Sequence, residues 1–480
     1  MSDTVQIKEL NTVWNRVICD DGIAQEISDA FTFFVPNYKF HPKFRARIWD
    51  GKIRLFNNRS RTLYCGLNSK IEEFCKDRGY EIEYLDDFSR NEYSLIEGDK
   101  FIKSLNTPLD QRDFQTKTFV DAVRQGRGLI LSPTGSGKSA LIYFLLRYYN
   151  KKTLIVVSQT DHIHQMASNF AKYGYELDVH KIHAGQEKYS DEFVTISTWQ
   201  SIYKMDEDWF SQFDIFVGDE AHKFKAKMLT GIMENTGLIE HKFGFTGSLD
   251  GTLTNSMVLE GLFGSIIVSG TTAEMIDQGY LSPLKIKCIV LKYPDDQRKE
   301  VSKLDYQQEL EWLFANKRRN TFIKNLALSL KGNTLVLFRY VDKHGIPLYN
   351  SIKDEADCPV YYVSGKVPGE EREQIRSIVN EHEKSITVAS LGTFSEGVDI
   401  PHLHNTIAAS PSKGVIRIKQ SIGRGLRTAD SKEQHTYFDI ADDLIWKNRK
   451  NFTIRHFQER VLLYNKEEFV YKIYPVNFKG

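Results

Sequence analysis

Two short stretches carry residue types that together could break a phosphoanhydride bond. Leu131–Ser139 reads LSPTGSGKS, an apolar strand candidate running into a glycine-punctuated turn and then a helix candidate. Gly135 and Gly137 let the backbone curl, so that the N–H groups of Thr134–Gly137 point inward at a polyanion. The opening helix adds its positive end. Lys138 then falls where it can reach β- and γ-phosphates, and Ser139 where it can hold Mg²⁺. Ser132 stands where the GxxxxGK[ST] pattern expects glycine, and a small residue there still permits the turn.

The second stretch is FDIFVGDEAH, Phe213–His222. Its apolar run delivers two carboxylates to a strand end, Asp219 suited to a hydrated Mg²⁺ and Glu220 to the attacking water. Two acids after a strand can equally cap a helix. The phosphate loop upstream, which needs a carboxylate partner, favours the hydrolytic reading, with ATP as substrate.

Such residues must be carried by a parallel sheet. Near-continuous hydrophobic runs, the mark of strands covered on both faces, occur at Gly128–Leu131, Thr153–Val157, Val194–Ser197, Asp214–Val217 and Lys242–Phe245. They resume at Thr334–Phe338, Val360–Val363, Ile386–Ala389, Thr406–Ala408 and Thr436–Phe438. Helical stretches such as Ser139–Tyr149 and Asp161–Tyr173 lie between. The pattern predicts an α/β protein with two parallel sheets in series, Gly279–Pro294 crossing from one to the other. Residues 1–100 lack the alternation and predict a small α+β domain with a helix around Gly22–Phe34, linked through Leu85–Leu109. The expected domains are 1–100, 101–282 and 283–480.

Composition is that of an ordinary globular chain: 480 residues, 41% hydrophobic, 26% charged and a net charge of +1. No polyanion partner is announced by total charge, so any such surface must be local. No run of about 18 apolar residues suggests a membrane span, and the N-terminus shows no signal peptide. The five scattered cysteines form no CxxC pair, which predicts reduced thiols and a cytoplasmic setting.

From about Phe114 to Arg427 the ordered motifs resemble those of superfamily-two helicases, built on two tandem RecA-like domains. The resemblance makes Gln115, in RDFQTKTF, the adenine contact. It places Gln159 in SQTDHIHQM and Thr198 in TISTWQS against the backbone of one nucleic-acid strand. It makes His222 with Thr246 and Ser248 of GFTGS the link between hydrolysis and DNA, although that motif more often reads Ser-Ala-Thr. In ASLGTFSEGVDIP, Thr393 would meet a phosphate, with Gly397 and Asp399 near the nucleotide. QSIGRGLR matches QxxGRxxR in full and makes Arg424 and Arg427 arginine fingers beside Gln420. Spacing alone does not separate these arginines from a solvated basic face.

In Tyr38–Arg61, Lys and Arg crowd around a single acid, Asp50. Asp50-Gly51 reads as a two-residue hairpin turn. That register puts Arg45, Arg47, Trp49, Lys52 and Arg54 on one face. Arg47 opposite Arg54 repels, so the face is expected to meet phosphates; a solvated edge resisting aggregation is the blander reading. The N-terminal segment and the layout are similar to the UvsW-type helicases of tailed bacteriophages. That resemblance implies a DNA helicase acting on branched DNA, on Holliday junctions, forks and R-loops, as a monomer. A duplex translocase, an RNA helicase and an ATP-gated annealing clamp are the alternatives. After Ile445, a basic helix over Lys447–Tyr464 and an apolar run are expected to pack on the second sheet.

Overall fold

The strands predicted from hydrophobic runs all form, and the computed structural model describes residues 3–86, 91–183, 185–223, 226–249, 252–394, 402–429 and 432–478. The chain divides into two compact units, Met1–Ser132 with Gly137–Gly270, and Thr271–Gly480 with Pro133–Ser136.

The first unit opens with β1 (Thr4–Glu9), β2 (Trp14–Ile18), helix α1 (Asp21–Ala30) and β3 (Thr32–Phe34). There follow helix α2 (Pro42–Arg45), β4 (Lys52–Arg54), β5 (Phe56–Asn57), β6 (Thr62–Tyr64), helix α3 (Asn68–Arg78) and β7 (Glu81–Tyr84). The sheet order is β5-β6-β2-β1-β7, with β3 and β4 paired separately. Its inward face is built from alternating buried residues, among them Val5, Ile7, Val17 and Leu63. The charge-rich stretch that follows carries helix α4 (Leu95–Ser104), opened by a capping box between Ser94 and Glu97. Ile102 is buried in the same cluster as Phe119 and Val120, and Phe101 stacks on Phe119 at 5.6 Å.

Helix α5 (Asp113–Gln125) leads into β8 (Arg127–Leu131), helix α6 (Lys138–Tyr149), β9 (Thr153–Val157) and helix α7 (Thr160–Lys172). Strands β10 (Val179–Ile182), β11 (Val194–Thr198), β12 (Ile215–Asp219), β13 (His241–Thr246) and β14 (Ile266–Val268) complete the sheet. Its order is β10-β11-β9-β12-β13-β8-β14, parallel throughout. The small α+β part does not hang free of it. Val5, Ile7, Leu63 and Phe74 belong to one continuous apolar cluster with Phe216, Leu259 and Phe263. At Gly66, a Cβ would lie 2.0 Å from the carbonyl oxygen of Glu260, so only glycine permits this approach.

The second unit holds β15 (Leu284–Lys292), β16 (Asn333–Phe338), β17 (Val360–Val363), β18 (Ile386–Ser390), β19 (Leu403–Ala408), β20 (His435–Asp443) and β21 (Tyr471–Asn477). They form a parallel sheet in the order β17-β18-β16-β19-β20-β15-β21. The segment expected to cross between the halves is therefore corrected: Leu284–Lys292 is an integral strand, paired with β20 along its whole length. The C-terminal helix runs Phe452–Lys466 and packs on this sheet as expected, with Arg460 buried against Asp439.

The Asp50-Gly51 hairpin is also corrected. Pro42 sits at the first position of α2 and His41 accepts from the Lys43 N–H, so residues before the turn are helical. Strand β4 pairs instead with β3, Phe33 opposite Ile53. Gly51 keeps its left-handed φ of 81°, and the Tyr38 ring lies where a Cβ would stand.

Candidate ATP and DNA site

Strands β12, β13 and β8 are neighbours, so the chain segments leaving their C-terminal ends emerge side by side. Thr246 is opposite Leu131 and Phe245 opposite Asp219, and the Ser132 N–H donates to the Thr246 carbonyl at 2.9 Å. Ligands of open parallel sheets bind at this edge. Gly135 and Gly137 have φ of 87° and 86°, the left-handed conformation that a phosphate loop needs. A Cβ on Gly137 would come within 2.4 Å of Gln115 Nε2, which places the predicted adenine contact directly against the loop. Ser136 Oγ donates to the Pro133 carbonyl at 2.7 Å, bracing the turn.

Lys138 Nζ donates to the Ser132 carbonyl at 3.4 Å and lies 3.7 Å from Glu220 Oε1. Glu220 Oε2 is buried, accepts no hydrogen bond among the described residues, and has His222 Nδ1 3.4 Å away. The Glu220 backbone is left-handed at φ 51°, a conformation that costs a non-glycine residue free energy. His222 Nδ1 meets Thr246 Oγ1 at 2.6 Å, and Thr246 Oγ1 donates to the Ser248 carbonyl at 2.9 Å. Lys138, Glu220, His222 and Thr246 thus line up as neighbouring polar side chains from the phosphate loop to the end of β13, 3.7 and 3.4 Å apart on the two sides of Glu220 and 2.6 Å apart at Thr246.

Burial, reinforced by the charge of Glu220, pushes the Asp219 carboxyl up to about 6. Burial acts on Glu220 in the same sense, but Lys138, His222 and Lys223 outweigh it and hold Glu220 below the usual carboxylate range. Glu220 therefore stays ionised across the neutral range, the state a base requires.

Sequence reasoning missed Tyr173, whose hydroxyl pairs with Ser139 Oγ at 2.8 Å. It follows α7 immediately, and nothing in its local sequence points to the phosphate loop. Gln159 is the extended residue that opens α7, and Thr198 is buried with its hydroxyl 2.9 Å from Ser201 Oγ.

In the second unit, Gln420 is buried and Arg424 ends the helix Val415–Arg424. Arg427 follows, its carbonyl accepting from Ser282 Oγ at 2.8 Å. Thr393 is buried, its hydroxyl 2.6 Å from Ser390 Oγ. Gly397 and Asp399 lie outside the described residues.

The basic N-terminal residues do not share one hairpin face. Arg45 ends α2, Arg47 turns the chain at φ 57°, and the Trp49 indole N–H donates to the Lys52 carbonyl at 2.9 Å. Arg54 is paired with Asp50 at 2.5 Å on the surface.

Two tandem RecA-like sheets, one carrying a phosphate loop whose lysine meets a buried glutamate, define a superfamily-two ATP-dependent helicase. Residues 4–86 match the family model of the DNA helicase UvsW N-terminal domain, 87–250 that of the type III restriction enzyme res subunit, and 317–429 the helicase conserved C-terminal domain. The ATP-dependent DNA helicase uvsW of Enterobacteria phage T4 is 32% identical, over 96% of this chain and 97% of the relative. This chain belongs to the UvsW family of DNA helicases. The crystal structure of T4 UvsW covers 99% of it and is itself covered completely, with a TM-score of 0.52 at 30% identity. A DNA 3'-5' translocase, XPB2 of Sulfurisphaera tokodaii, is 23% identical over 69% of this chain and 83% of its own length. Among the described residues, no helix is long and apolar enough to cross a membrane.

Proposed function

We propose that the chain is a cytoplasmic, monomeric motor that uses ATP hydrolysis to remodel branched DNA. The observation that carries this reading is the polar line Lys138–Glu220–His222–Thr246, which joins the phosphate loop to the end of β13. Lys138 binds the β- and γ-phosphates, and Glu220 takes a proton from the attacking water. Ser139 and Asp219 supply hard oxygen ligands of the kind Mg²⁺ takes, and the ion, when bound, neutralises charge on the phosphates. Gln115 reads adenine. Arg424 and Arg427, with Gln420, serve as fingers toward the γ-phosphate, and Gly397 and Asp399 lie near the nucleotide. Thr246 and Ser248 feel the state of Glu220 through His222, which makes them the coupling residues.

Gln159, Thr198 and Thr393 contact the DNA backbone, reading phosphates in preference to bases. Arg45, Arg47, Trp49 and Lys52 extend that grip in the N-terminal part, with Arg54 in a lesser role because of its bond to Asp50. The name of the T4 relative supports DNA as the substrate; branch selection rests on family membership.

A mobile Holliday junction, a fork and a blunt duplex of matched length test the reading, with Lys138→Ala as control. ATP-dependent resolution of the first two, with the blunt duplex surviving, is expected. ATP consumption with no strand exchange on any of them would make the chain a translocase or clamp.

A further inference from the structure

Away from the ATP site, the N-terminal segment 38–49 presents apolar side chains to water among cations. Phe40 is 70% exposed and Ile48 76%. Lys39, Lys43, Arg45 and Arg47 are exposed within the same segment, which contains no acid. None of the four has a carboxylate partner among the described residues.

The base of this segment is firmly built. Phe34 stacks on Tyr38 at 4.6 Å, and Tyr38 meets Phe44 edge-on at 4.8 Å. The Tyr38 ring also covers Gly51, while Trp49 is fixed by the Lys52 carbonyl and stands edge-on to His41 at 5.2 Å. The Arg45 guanidinium lies 5.8 Å from the Phe40 ring centroid. A groove of about 670 Å³ beside Ile48 is lined also by Phe44, Arg45, Arg47, Trp49 and one acid, Asp50, which is held by Arg54.

Exposed apolar tips ringed by unpaired cations are complementary to a polyanion that also offers flat apolar faces. Nucleic acid is such a polymer, yet an intact duplex hides its base faces in the stack. Within a duplex, the last pair at an opening leaves a face free; apolar side chains insert where base steps unstack and aromatic ones stack on free base faces, while basic ones hold phosphates. We propose that Phe40 and Ile48 form a strand-separating wedge that stacks on the terminal base pair at a DNA branch point. Lys39, Lys43, Arg45 and Arg47 hold the flanking phosphates. The inference rests on the reading of the chain as a branch-directed DNA motor and names the residues that would open the duplex.

The test uses the full chain and a forked DNA with 2-aminopurine at the first paired position. Wild type, Phe40→Ala/Ile48→Ala and Phe40→Trp are compared in two measurements, 2-aminopurine emission on binding without ATP, and base pairs opened per ATP consumed. The wild type is expected to change the emission. The double variant should lose that change and open about fivefold fewer base pairs per ATP, or fewer still, as loss of aromatic stacking on a base dictates. Phe40→Trp, which restores a ring, should keep both. Unaltered emission and yield in the double variant would overturn the wedge and leave the surface to a protein partner. A wild type that consumes ATP without opening the fork would overturn the branch-directed reading, while the emission measured without ATP still decides the wedge contact.

Discussion

Lys242 Nζ donates to the main-chain carbonyl of Thr12 at 3.1 Å, a bond that ties the motor sheet to the small α+β part. Arg127 Nη1 donates to the same oxygen at 2.9 Å, and its remaining nitrogens reach the carbonyls of Phe263 and Leu262 at the end of the helix Leu253–Phe263. A cation is favoured at a helix C-terminus, but two buried cations on one oxygen repel. Burial and then Arg127 push Lys242 down to about 6.

That depression has a sign that heat can read. Between about pH 6 and the ordinary lysine range near 10.5, the unfolded chain binds a proton on Lys242 that the folded chain does not. Stability of this unit therefore rises with pH across that window and loses its dependence on Lys242 below it. In Lys242→Met the thermal midpoint should rise less steeply between pH 6.5 and 9, values chosen inside the window set by burial. An identical slope in both proteins would mean that Lys242 keeps its charge when folded.

Glu220 is ionised, and its Oε2 is buried without a hydrogen bond among the described residues. Glu220→Gln removes the base and keeps the shape, so kcat for ATP should fall by about 10²–10⁴ while nucleotide binding survives. Lys138→Ala should abolish turnover and weaken binding as well. Normal hydrolysis in either variant would sink the site assignment.

Arg424 ends the helix that carries the buried Gln420, and Arg427 follows; the resemblance to superfamily-two helicases, not this spacing, proposes them as arginine fingers. Arg424→Ala is expected to lower kcat by about 10³–10⁵ with a much smaller change in ATP affinity. Equal losses in both would argue against a finger.

The framework of the candidate ATP site was legible because it depends on local backbone. A strand, a glycine turn and a helix follow one another in sequence, and parallel pairing alone brings Leu131, Asp219 and Thr246 to one edge. The rest was hidden where tertiary contacts decide. His41-Pro42 starts a helix in a stretch whose alternation fits a strand, because the Phe34–Tyr38–Phe44 cluster draws it down. Leu284–Lys292 alternates lysine with apolar residues like a surface connection, yet it lies between β20 and β21. Tyr173 reaches Ser139 only because α7 ends beside the phosphate loop.

The second unit holds a fully buried ion pair that no local pattern announces. Arg319 Nε and Nη2 donate to Asp442 at 2.8 and 3.1 Å, Nη2 also donates to the Ala409 carbonyl, and the Tyr293 hydroxyl donates to Asp442 at 2.7 Å. Arg319→Met leaves the carboxylate buried without its cation and should destabilise this unit by about 3–5 kcal/mol. Replacing both partners with apolar residues should cost much less. Chemical denaturation of the two variants checks the order, and equal losses would show that packing, not charge, governs the site.

Arg47 and Arg54 differ in a way that the sequence did not separate. Arg54 is engaged by Asp50 at 2.5 Å, whereas Arg47 is exposed without an acidic partner among the described residues. A charge already neutralised within the protein releases few counterions when DNA arrives. Arg47→Ala should therefore weaken binding to forked DNA and reduce the slope of log K against log salt by about 1. Arg54→Ala should leave that slope nearly unchanged. Binding titrations over a range of salt concentrations distinguish the two, and equal slopes for wild type and Arg47→Ala would return this surface to solvent.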